Sequence, residues 1–170
     1  MYQHFMESPI GRLRIVEHNG EIMEISRCNE EKEHVTADGK IIKMEETFKE
    51  AATYKTPILE KAEQQLNEYF SGKRKQFDLA VKMYGTHFYR TVWKSISSIP
   101  YGKTWSYSEI ARSVGRPDAS RAVGLACHYN PILIVIPCHR VVYSNGEPGE
   151  SLAGTELRKQ LLELEMKYAD

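Results

Sequence analysis

The chain has 170 residues, of which 41% are hydrophobic and 27% charged, ordinary proportions for a globular protein of one domain or two small ones. No apolar stretch is as long as a membrane span, and Met1-Tyr2-Gln3-His4-Phe5 does not start a secretion signal, so we expect neither a membrane protein nor a secreted one. The net charge is zero, but residues 86–146 hold seven basic and two acidic residues, a local +5 balanced by −5 elsewhere, which suits a nucleic-acid-facing half or arises by chance on a solvated surface.

The first half of the sequence, residues 1–84, has the pattern of a small α+β unit. Residues 2–28 form short alternating segments separated by turn signals at Ser8-Pro9-Ile10-Gly11 and Asn19-Gly20. Asn-Gly between alternating segments is a strong hairpin signal. Another short strand is predicted at residues 77–81.

One long helix is predicted in the same half. Thr56 is suited to cap its N-terminus, and Pro57 is suited to its first turn. Apolar residues then recur at every fourth position as far as Phe70, and Gly72 supplies the stop. We interpret this half as a supporting scaffold without catalytic residues.

The second half, residues 85–170, is predicted to be mostly helical. Helical spacing of apolar residues indicates one helix from Phe88 to Ile96 and a last helix from about Gly154 to Tyr168.

Two short helices around a glycine-containing turn are predicted between these. The first spans residues 107–114, and the second begins at Ala119 with Asp118 as its cap. The arrangement is typical of a helix-turn-helix, a geometry that alone is weakly specific for nucleic acid. The small residues of the second helix would let its backbone approach DNA or a tightly packed helix, and Arg121 projects near its N-terminus.

The segment that follows carries a cysteine with informative neighbours. The apolar residues 132–136 predict a buried strand, and Pro137 would end it because proline cannot continue a strand ladder. Cys138 would then stand beside His139 and Arg140, where a base and a positive charge favour thiolate. An isolated buried cysteine is more often a packing residue. The odd count of three cysteines indicates free thiols in a reducing compartment.

Glu165 is the candidate partner of His139. It lies one turn after Leu161, beside the apolar stripe of the last helix, so its carboxylate should be at least half buried and need a partner. A bond to one ring nitrogen of His139 would leave the other to take the proton of Cys138, directly or through water. The thiol pKa should then lie about one to two units below 8.5. The alternative is a surface glutamate paired with Lys or Arg.

The stretch Ile136-Pro137-Cys138-His139-Arg140-Val141-Val142 resembles the active-site signature of the O6-alkylguanine-DNA alkyltransferases (methylated-DNA–protein-cysteine methyltransferases). Arg121-Ala122-Val123-Gly124 and Ser8-Pro9-Ile10-Gly11 are similar to two further stretches of that family. The resemblance implies an α+β fold. Residues 1–84 would form a small ribonuclease-H-like α/β domain, and residues 85–170 a helical, winged-helix-like helix-turn-helix domain that binds DNA and accepts the alkyl group.

The resemblance implies a catalytic set within the second half. Cys138 would take the alkyl group from O6 of guanine by direct displacement, and it would react once because nothing hydrolyses the resulting thioether. Glu165 is the family's relay carboxylate next to His139, and Asn130 is the asparagine that orders the active-site turn.

The resemblance also implies how DNA is held. The second short helix would lie in the minor groove, with its small residues Ser120, Ala122 and Gly124 against the DNA. Arg121 would enter the base stack where the flipped nucleotide had been, and Tyr107 would help to turn that nucleotide out.

A guanine pocket is implied around Tyr107, Val141, Ser151 and Leu152. Here the chain departs from the family, since Ser151-Leu152-Ala153-Gly154 stands where an aromatic residue, a small residue and two glycines are usual. Leu152 cannot donate the hydrogen bond that a serine there could. The preferred alkyl group is therefore not fixed by the sequence.

These inferences predict a DNA-repair protein whose partner is double-stranded DNA containing O6-alkylguanine, with O4-alkylthymine as a further candidate. We expect a monomer without cofactor or metal, located in the cytoplasm or, in a eukaryote, in the nucleus. Three rivals stay open at this stage: a lesion-binding protein that transfers nothing, a helix-turn-helix regulator with a structural cysteine, and a Cys-His hydrolase that turns over.

Overall fold

A four-stranded sheet occupies the N-terminal half of the computed structural model, which describes residues 1–43, 46, 48–149 and 154–170. The strands of this half are β1 (Tyr2–Met6), β2 (Leu13–His18), β3 (Glu21–Arg27), β4 (Glu33–Val35), β5 (Ile41–Lys43) and β6 (Ala52–Thr53). The sheet order is β3-β2-β1-β6, with β1, β2 and β3 antiparallel in turn and β6 parallel to β1. Strands β4 and β5 form a separate antiparallel pair.

The turns that connect the first three strands lie where the sequence predicts them. Asn19 and Gly20 both have positive φ angles, 51° and 78°, as a two-residue hairpin between β2 and β3 requires. In the turn between β1 and β2, the backbone N–H of Gly11 donates to the carbonyl oxygen of Ser8 over 3.0 Å.

Helix α1 (Pro57–Phe70) is confirmed together with its signals. The Thr56 side chain caps it by accepting from the N–H of Leu59. Gly72 follows with a φ of 77°. A Cβ at Gly72 would also overlap the ring of Tyr168, so the glycine lets the end of α1 lie against the end of the chain's last helix.

The prediction of a strand at residues 77–81 is wrong, since Val81 makes only an isolated bridge to Ile22. The Gln65 side chain on α1 accepts from the N–H of Asp78 over 2.9 Å and donates to its carbonyl oxygen over 3.1 Å. These bonds use the peptide groups that a strand ladder would need.

The described residues of the C-terminal half include four helices and one short strand pair. The helices are α2 (His87–Ile96), α3 (Tyr107–Ser113), α4 (Ser120–His128) and α5 (Gly154–Tyr168). Strands β7 (Trp105–Ser106) and β8 (Val141–Val142) pair in parallel. All four helices agree with the sequence predictions, and the mixed α+β class is confirmed.

The two short helices begin differently. Ser106 and Glu109 form a reciprocal capping box at the start of α3. The prediction that Asp118 caps α4 is wrong, because Ala119 is the residue at the capping position and its side chain makes no hydrogen bond. The N–H of Ala119 donates to the carbonyl oxygen of Arg116 over 2.9 Å, which places Asp118 inside the preceding turn.

The apolar run at residues 132–136 is a turn and not a strand, with its three isoleucines buried and Leu133 and Val135 half-buried. Only Ile132 makes a bridge, a parallel one to Ile25 on β3. The chain then folds back, with the N–H of Ile136 donating to the carbonyl oxygen of Ile132 over 3.0 Å and Ile134 at a φ of 72°.

One hydrophobic core runs through both halves. It joins side chains of the sheet and α1 to side chains of the C-terminal helices, for example Leu13, Ile25, Leu59, Leu66, Trp93, Ile110, Val123 and Leu161. The buried turn that precedes Cys138 lies within this core. Within the described part of the chain, no helix combines the length and apolar character that crossing a membrane demands.

Candidate active site

Asn130 shapes the turn that presents Cys138. Its Nδ2 donates to the carbonyl oxygen of Ile136 over 2.8 Å, and its Oδ1 accepts from the N–H of Ile132 over 2.9 Å. The amide therefore spans the apolar turn and satisfies buried backbone groups on both of its sides. Cys138 follows as the first residue of a 3₁₀ turn, Cys138–Arg140.

The N-terminal sheet holds the other side of this turn. The N–H of Ile25 donates to the carbonyl oxygen of Pro131, and the N–H of Leu133 donates to the carbonyl oxygen of Ile25, each over 3.0 Å. Strand β3 thus positions the residues that lead to the cysteine.

Glu165 is the centre of a buried polar network that joins α5 to three other segments. It is fully buried, in agreement with the predicted burial of at least half of its carboxylate. Its oxygens accept from His139 Nε2 (2.5 Å), Tyr69 Oη (2.7 Å), Arg140 Nε (2.8 Å), Arg140 Nη2 (3.1 Å) and the N–H of Gly102 (3.1 Å). Such a set of donors satisfies a buried charge and fixes its orientation.

The charges of this network follow from burial and contact. Burial opposes ionisation of Glu165, but the hydrogen bonds and positive charge of His139 and Arg140 outweigh it and lower the pKa of the carboxyl group. Burial lowers the pKa of His139 despite its bond to Glu165. A neutral imidazole that donates from Nε2 to a carboxylate carries its lone pair on Nδ1. The structure thus brings His139 and Glu165 into the direct contact that the sequence predicts.

The Cys138 thiol is only 6% exposed and borders a cavity of about 50 Å³. His139 lines the same cavity, which has room for a few water molecules but not for a purine. The expected depression of the thiol pKa is wrong. Burial raises the pKa of Cys138 well above its ordinary value, and the neighbouring Cys127 raises it further. Cys138 is therefore a thiol at neutral pH.

Cys127 is a neighbour that the sequence analysis missed. It lies in the last turn of α4, is 5% exposed, and forms a side-chain hydrogen bond with Cys138. No spacing rule links the two positions, because the contact arises when α4 packs beside the turn at residues 131–137.

Tyr107 is the first residue of α3 and contacts Arg158, one of the residues that line the cavity. Its hydroxyl accepts from Nη1 of Arg158 over 3.0 Å, and burial raises its pKa to about 12, so the phenol stays protonated at neutral pH. A Cβ at Gly149 would overlap this hydroxyl, which explains a glycine there. Arg158 and Gly149 were both missed by the sequence analysis.

Helix α4 presents small side chains and one guanidinium group. Ser120, Ala122 and Gly124 are half-buried, and Arg121 is exposed at the second position of the helix. Leu125 is also exposed, at 51%. Arg121 and Leu125 are therefore exposed on α4, whereas Gly124 lies beside the Tyr107 ring of α3.

The pocket residues of the sequence analysis divide into two groups. Val141 is fully buried on β8, and its carbonyl oxygen accepts from Nη1 of Arg158 over 3.5 Å. Ser151 and Leu152 lie outside the described residues. Among those that are described, no cluster of three His, Cys, Asp or Glu side chains is arranged to hold a metal ion.

Comparison with known proteins gives matches over the whole chain. The family model for the ribonuclease-like domain of 6-O-methylguanine DNA methyltransferase matches residues 1–83, and the model for the DNA binding domain of the same family matches residues 87–167. The chain is 38% identical over 165 residues to the methylated-DNA–protein-cysteine methyltransferase of Methanosarcina acetivorans, covering 97% of this chain and 98% of that protein.

Solved structures show the same similarity. The O6-methylguanine methyltransferase of Mycobacterium tuberculosis superposes with a TM-score of 0.85 at 34% identity, covering 99% of this chain and 94% of that one. The structure of the same mycobacterial protein in complex with DNA gives a TM-score of 0.80 at 34% identity, with 99% and 95% coverage.

Proposed function

The chain belongs to the 6-O-methylguanine DNA methyltransferase family, and we propose that it repairs DNA by moving the alkyl group of O6-alkylguanine to Sγ of its own Cys138. The observation that carries the proposal is that Cys138 and His139 line the same cavity, while Nε2 of His139 is bonded to the buried carboxylate of Glu165. A nucleophile, a base and a group that orients the base are the parts that covalent catalysis by a thiol requires.

Binding to DNA would come first, through α4. Ser120, Ala122 and Gly124 let the helix backbone approach the minor groove of double-stranded DNA, and Arg121 extends from its N-terminal turn. A base inside a duplex cannot reach a buried thiol, so the target nucleotide must be flipped, at a cost of a few kcal/mol. Insertion of Arg121 into the vacated stack, with Tyr107 guiding the nucleotide, would offset that cost.

Entry of the base also requires the cavity to enlarge. Its volume of about 50 Å³ is too small for guanine, so side chains around Cys138 must separate when the nucleotide enters. The raised thiol pKa would keep Cys138 mostly protonated at neutral pH before the lesion enters.

The transfer itself is a direct displacement. His139, neutral and held by Glu165, takes the proton of the Cys138 thiol, either directly or through a water molecule in the cavity. The thiolate attacks the alkyl carbon, and the S–C bond forms as the C–O6 bond breaks. Guanine leaves as an anion and takes a proton at N1, which the His139 imidazolium supplies directly or through water. The reaction needs no cofactor because the thiol supplies the electron pair. Since no step removes the thioether, each chain acts once.

We also propose a division of labour along the chain. Residues 85–170 would bind DNA and accept the alkyl group, while residues 1–84 support them from behind through β3 and α1. The protein would act as a monomer in the compartment that holds the DNA, the cytoplasm or, in a eukaryote, the nucleus.

The test is incubation of the chain with duplex DNA that carries one O6-methylguanine, followed by peptide mass spectrometry. We expect a gain of one methyl group on Cys138, in a molar amount no greater than that of the protein, and none in Cys138→Ala. Binding without a mass change would support a lesion-binding protein or a regulator instead, although Cys138 argues against the former. Repeated turnover would indicate a hydrolase. The same assay with a duplex that carries O4-methylthymine tests whether that lesion is also a substrate.

A further inference from the structure

The guanidinium group of Arg158 lies inside the site described above. Arg158 is on α5, two turns before Glu165, and is 4% exposed. Its Nη1 donates to the Tyr107 hydroxyl over 3.0 Å and to the carbonyl oxygen of Val141 over 3.5 Å. The same side chain lines the cavity that contains Cys138. One buried cation thus contacts the residue assigned to nucleotide flipping and faces the alkyl acceptor.

We propose that Arg158 is a positioning residue for alkyl transfer: it holds the Tyr107 phenol on one side of the site and directs its positive charge towards the Cys138 sulfur on the other. This inference rests on the proposed function, since it assigns a role within that reaction.

The buried charge of Arg158 lies beside a phenol, a carbonyl oxygen and two cysteines. A buried charge is unfavourable unless an opposite charge or several hydrogen bonds compensate it. Among the described residues, the guanidinium bonds the Tyr107 phenol, the carbonyl oxygen of Val141 and the side chain of Cys127, which is itself hydrogen-bonded to Cys138. Its positive charge lowers the pKa of Cys127 and also favours ionisation of Cys138. Arg158 therefore stabilises the thiolate more than the thiol.

The hydrogen bond to Tyr107 gives the same side chain a second effect. A phenol that accepts from a fixed guanidinium cannot rotate freely, and its own proton then points away from Arg158. The Tyr107 ring also stands 3.9 Å from the position of a Cβ at Gly124 on α4. Arg158 thus connects the orientation of the DNA-contacting tyrosine to the electrostatic potential at the sulfur.

Other charged or titratable groups face the sulfur as well. They come from the segment before β4, from α4 and from the 3₁₀ turn: Glu30, Glu31, Lys32, Cys127, His128 and His139. The positive charge of Lys32 also favours the thiolate, whereas Cys127 opposes it. Substitution of Arg158 leaves all of these groups in place, so a comparison between wild type and variant isolates the guanidinium contribution.

The test measures Cys138 alkylation by iodoacetamide from pH 5 to pH 10 in the full chain, with peptide mapping to separate Cys138 from Cys127. Arg158→Gln and Arg158→Met should both shift the profile to higher pH and slow alkylation at pH 7, by about tenfold for each pKa unit. Arg158→Lys, which keeps the charge but loses the planar fork, should retain the profile within about threefold while transferring methyl from duplex DNA more slowly.

Two results would overturn the proposal. One is a folded Arg158→Gln or Arg158→Met protein with the wild-type pH profile. The other is an Arg158→Lys protein whose profile is shifted as far as that of the neutral variants, because charge would then not be the property that matters. Should both neutral variants fail to fold, an Arg158→Lys protein whose alkylation at pH 7 is slowed by much more than about threefold would still overturn the proposal, because a retained charge should keep the profile. A wild-type chain that takes no methyl group from DNA would refute the proposed function, whereas the iodoacetamide profile would still report the effect of Arg158 on the thiol.

Discussion

The hydroxyl of Tyr69 donates to Oε2 of Glu165 over 2.7 Å, in a fully buried contact between residues 96 positions apart. Oε2 of Glu165 is also the atom that accepts from Nε2 of His139. Helix α1 of the N-terminal half therefore reaches the relay of the C-terminal half. One side chain of residues 1–84 thus bonds directly to the carboxylate that we propose for the relay.

Tyr69→Phe should weaken both stability and transfer. It removes one of the donors to Glu165 without changing the packing shape, so we expect a loss of about 1.5–3 kcal/mol in the free energy of unfolding, typical of a hydrogen bond to a charged group. Transfer should slow several-fold, because the other donors still hold the carboxylate. Urea denaturation and single-turnover kinetics on O6-methylguanine duplex measure the two effects. Tyr54→Phe, at a tyrosine that is 64% exposed, is the matched control. Equal behaviour of the two variants would contradict a role for Tyr69.

Glu165→Gln should impair the relay more severely. An amide cannot stabilise the imidazolium that forms when His139 takes the thiol proton, so we expect transfer to slow by about a hundredfold or more and thiol alkylation to shift to higher pH. Loss of the charge opposite Arg140 should also destabilise the fold by about 3–5 kcal/mol, so kinetics are measured where circular dichroism shows a folded protein. The exposed Glu163→Gln is the control. An unchanged pH profile of thiol alkylation would remove Glu165 from the relay.

Stability should be greatest near neutral pH. Burial lowers the pKa of His139, His34 and His128, so the folded state binds fewer protons than the unfolded state below about pH 6.5. The free energy of unfolding therefore decreases as the pH is lowered through this range. The lowered pKa of Glu165 adds a further loss below about pH 4. Above about pH 8.5 the raised pKa of Cys138 makes the free energy of unfolding decrease as the pH rises, because the thiol ionises at lower pH in the unfolded state than in the folded state.

Urea midpoints measured from pH 4 to pH 10 would show this dependence. His139→Gln should flatten part of the acid side of the curve, since the substituted side chain does not titrate. A midpoint that rises between pH 7 and pH 5 would contradict the assignment of buried neutral histidines.

The sequence predicts the contact between His139 and Glu165 because a local motif and a helical stripe each place a polar side chain at the core. The contact with Tyr69 could not be predicted, since a tyrosine in an apolar stripe indicates burial and not its partner. The apolar residues 132–136 suggested a strand because hydrophobicity alone does not separate a buried strand from a buried turn. The Asn130 amide, which satisfies that turn, decides the outcome. The raised thiol pKa likewise depends on tertiary packing, through burial and Cys127.

Arg121→Ala should reduce DNA affinity without altering the thiol. Arg121 is exposed, so the fold should be unaffected, and loss of its contacts should weaken binding to lesion duplex by about 1–3 kcal/mol. Repair of duplex should slow accordingly, whereas reaction with free O6-alkylguanine base should keep its wild-type rate. Fluorescence anisotropy and single-turnover kinetics separate the two. Lys49→Ala, at an exposed position of the N-terminal half, controls for the loss of one positive charge. Equal loss with duplex and free base would contradict a flipping role.

Gly124→Ala should separate stability from DNA binding. The added Cβ would meet the Tyr107 ring at 3.9 Å, an ordinary contact, and alanine is favoured over glycine inside a helix by about 0.5–1 kcal/mol, so the variant should be at least as stable as wild type. The same methyl group, and more so the side chain of Gly124→Leu, would hold α4 away from the minor groove. We therefore expect duplex affinity to fall in the order Gly, Ala, Leu at position 124. Wild-type duplex affinity in Gly124→Leu would show that this helix face does not contact DNA.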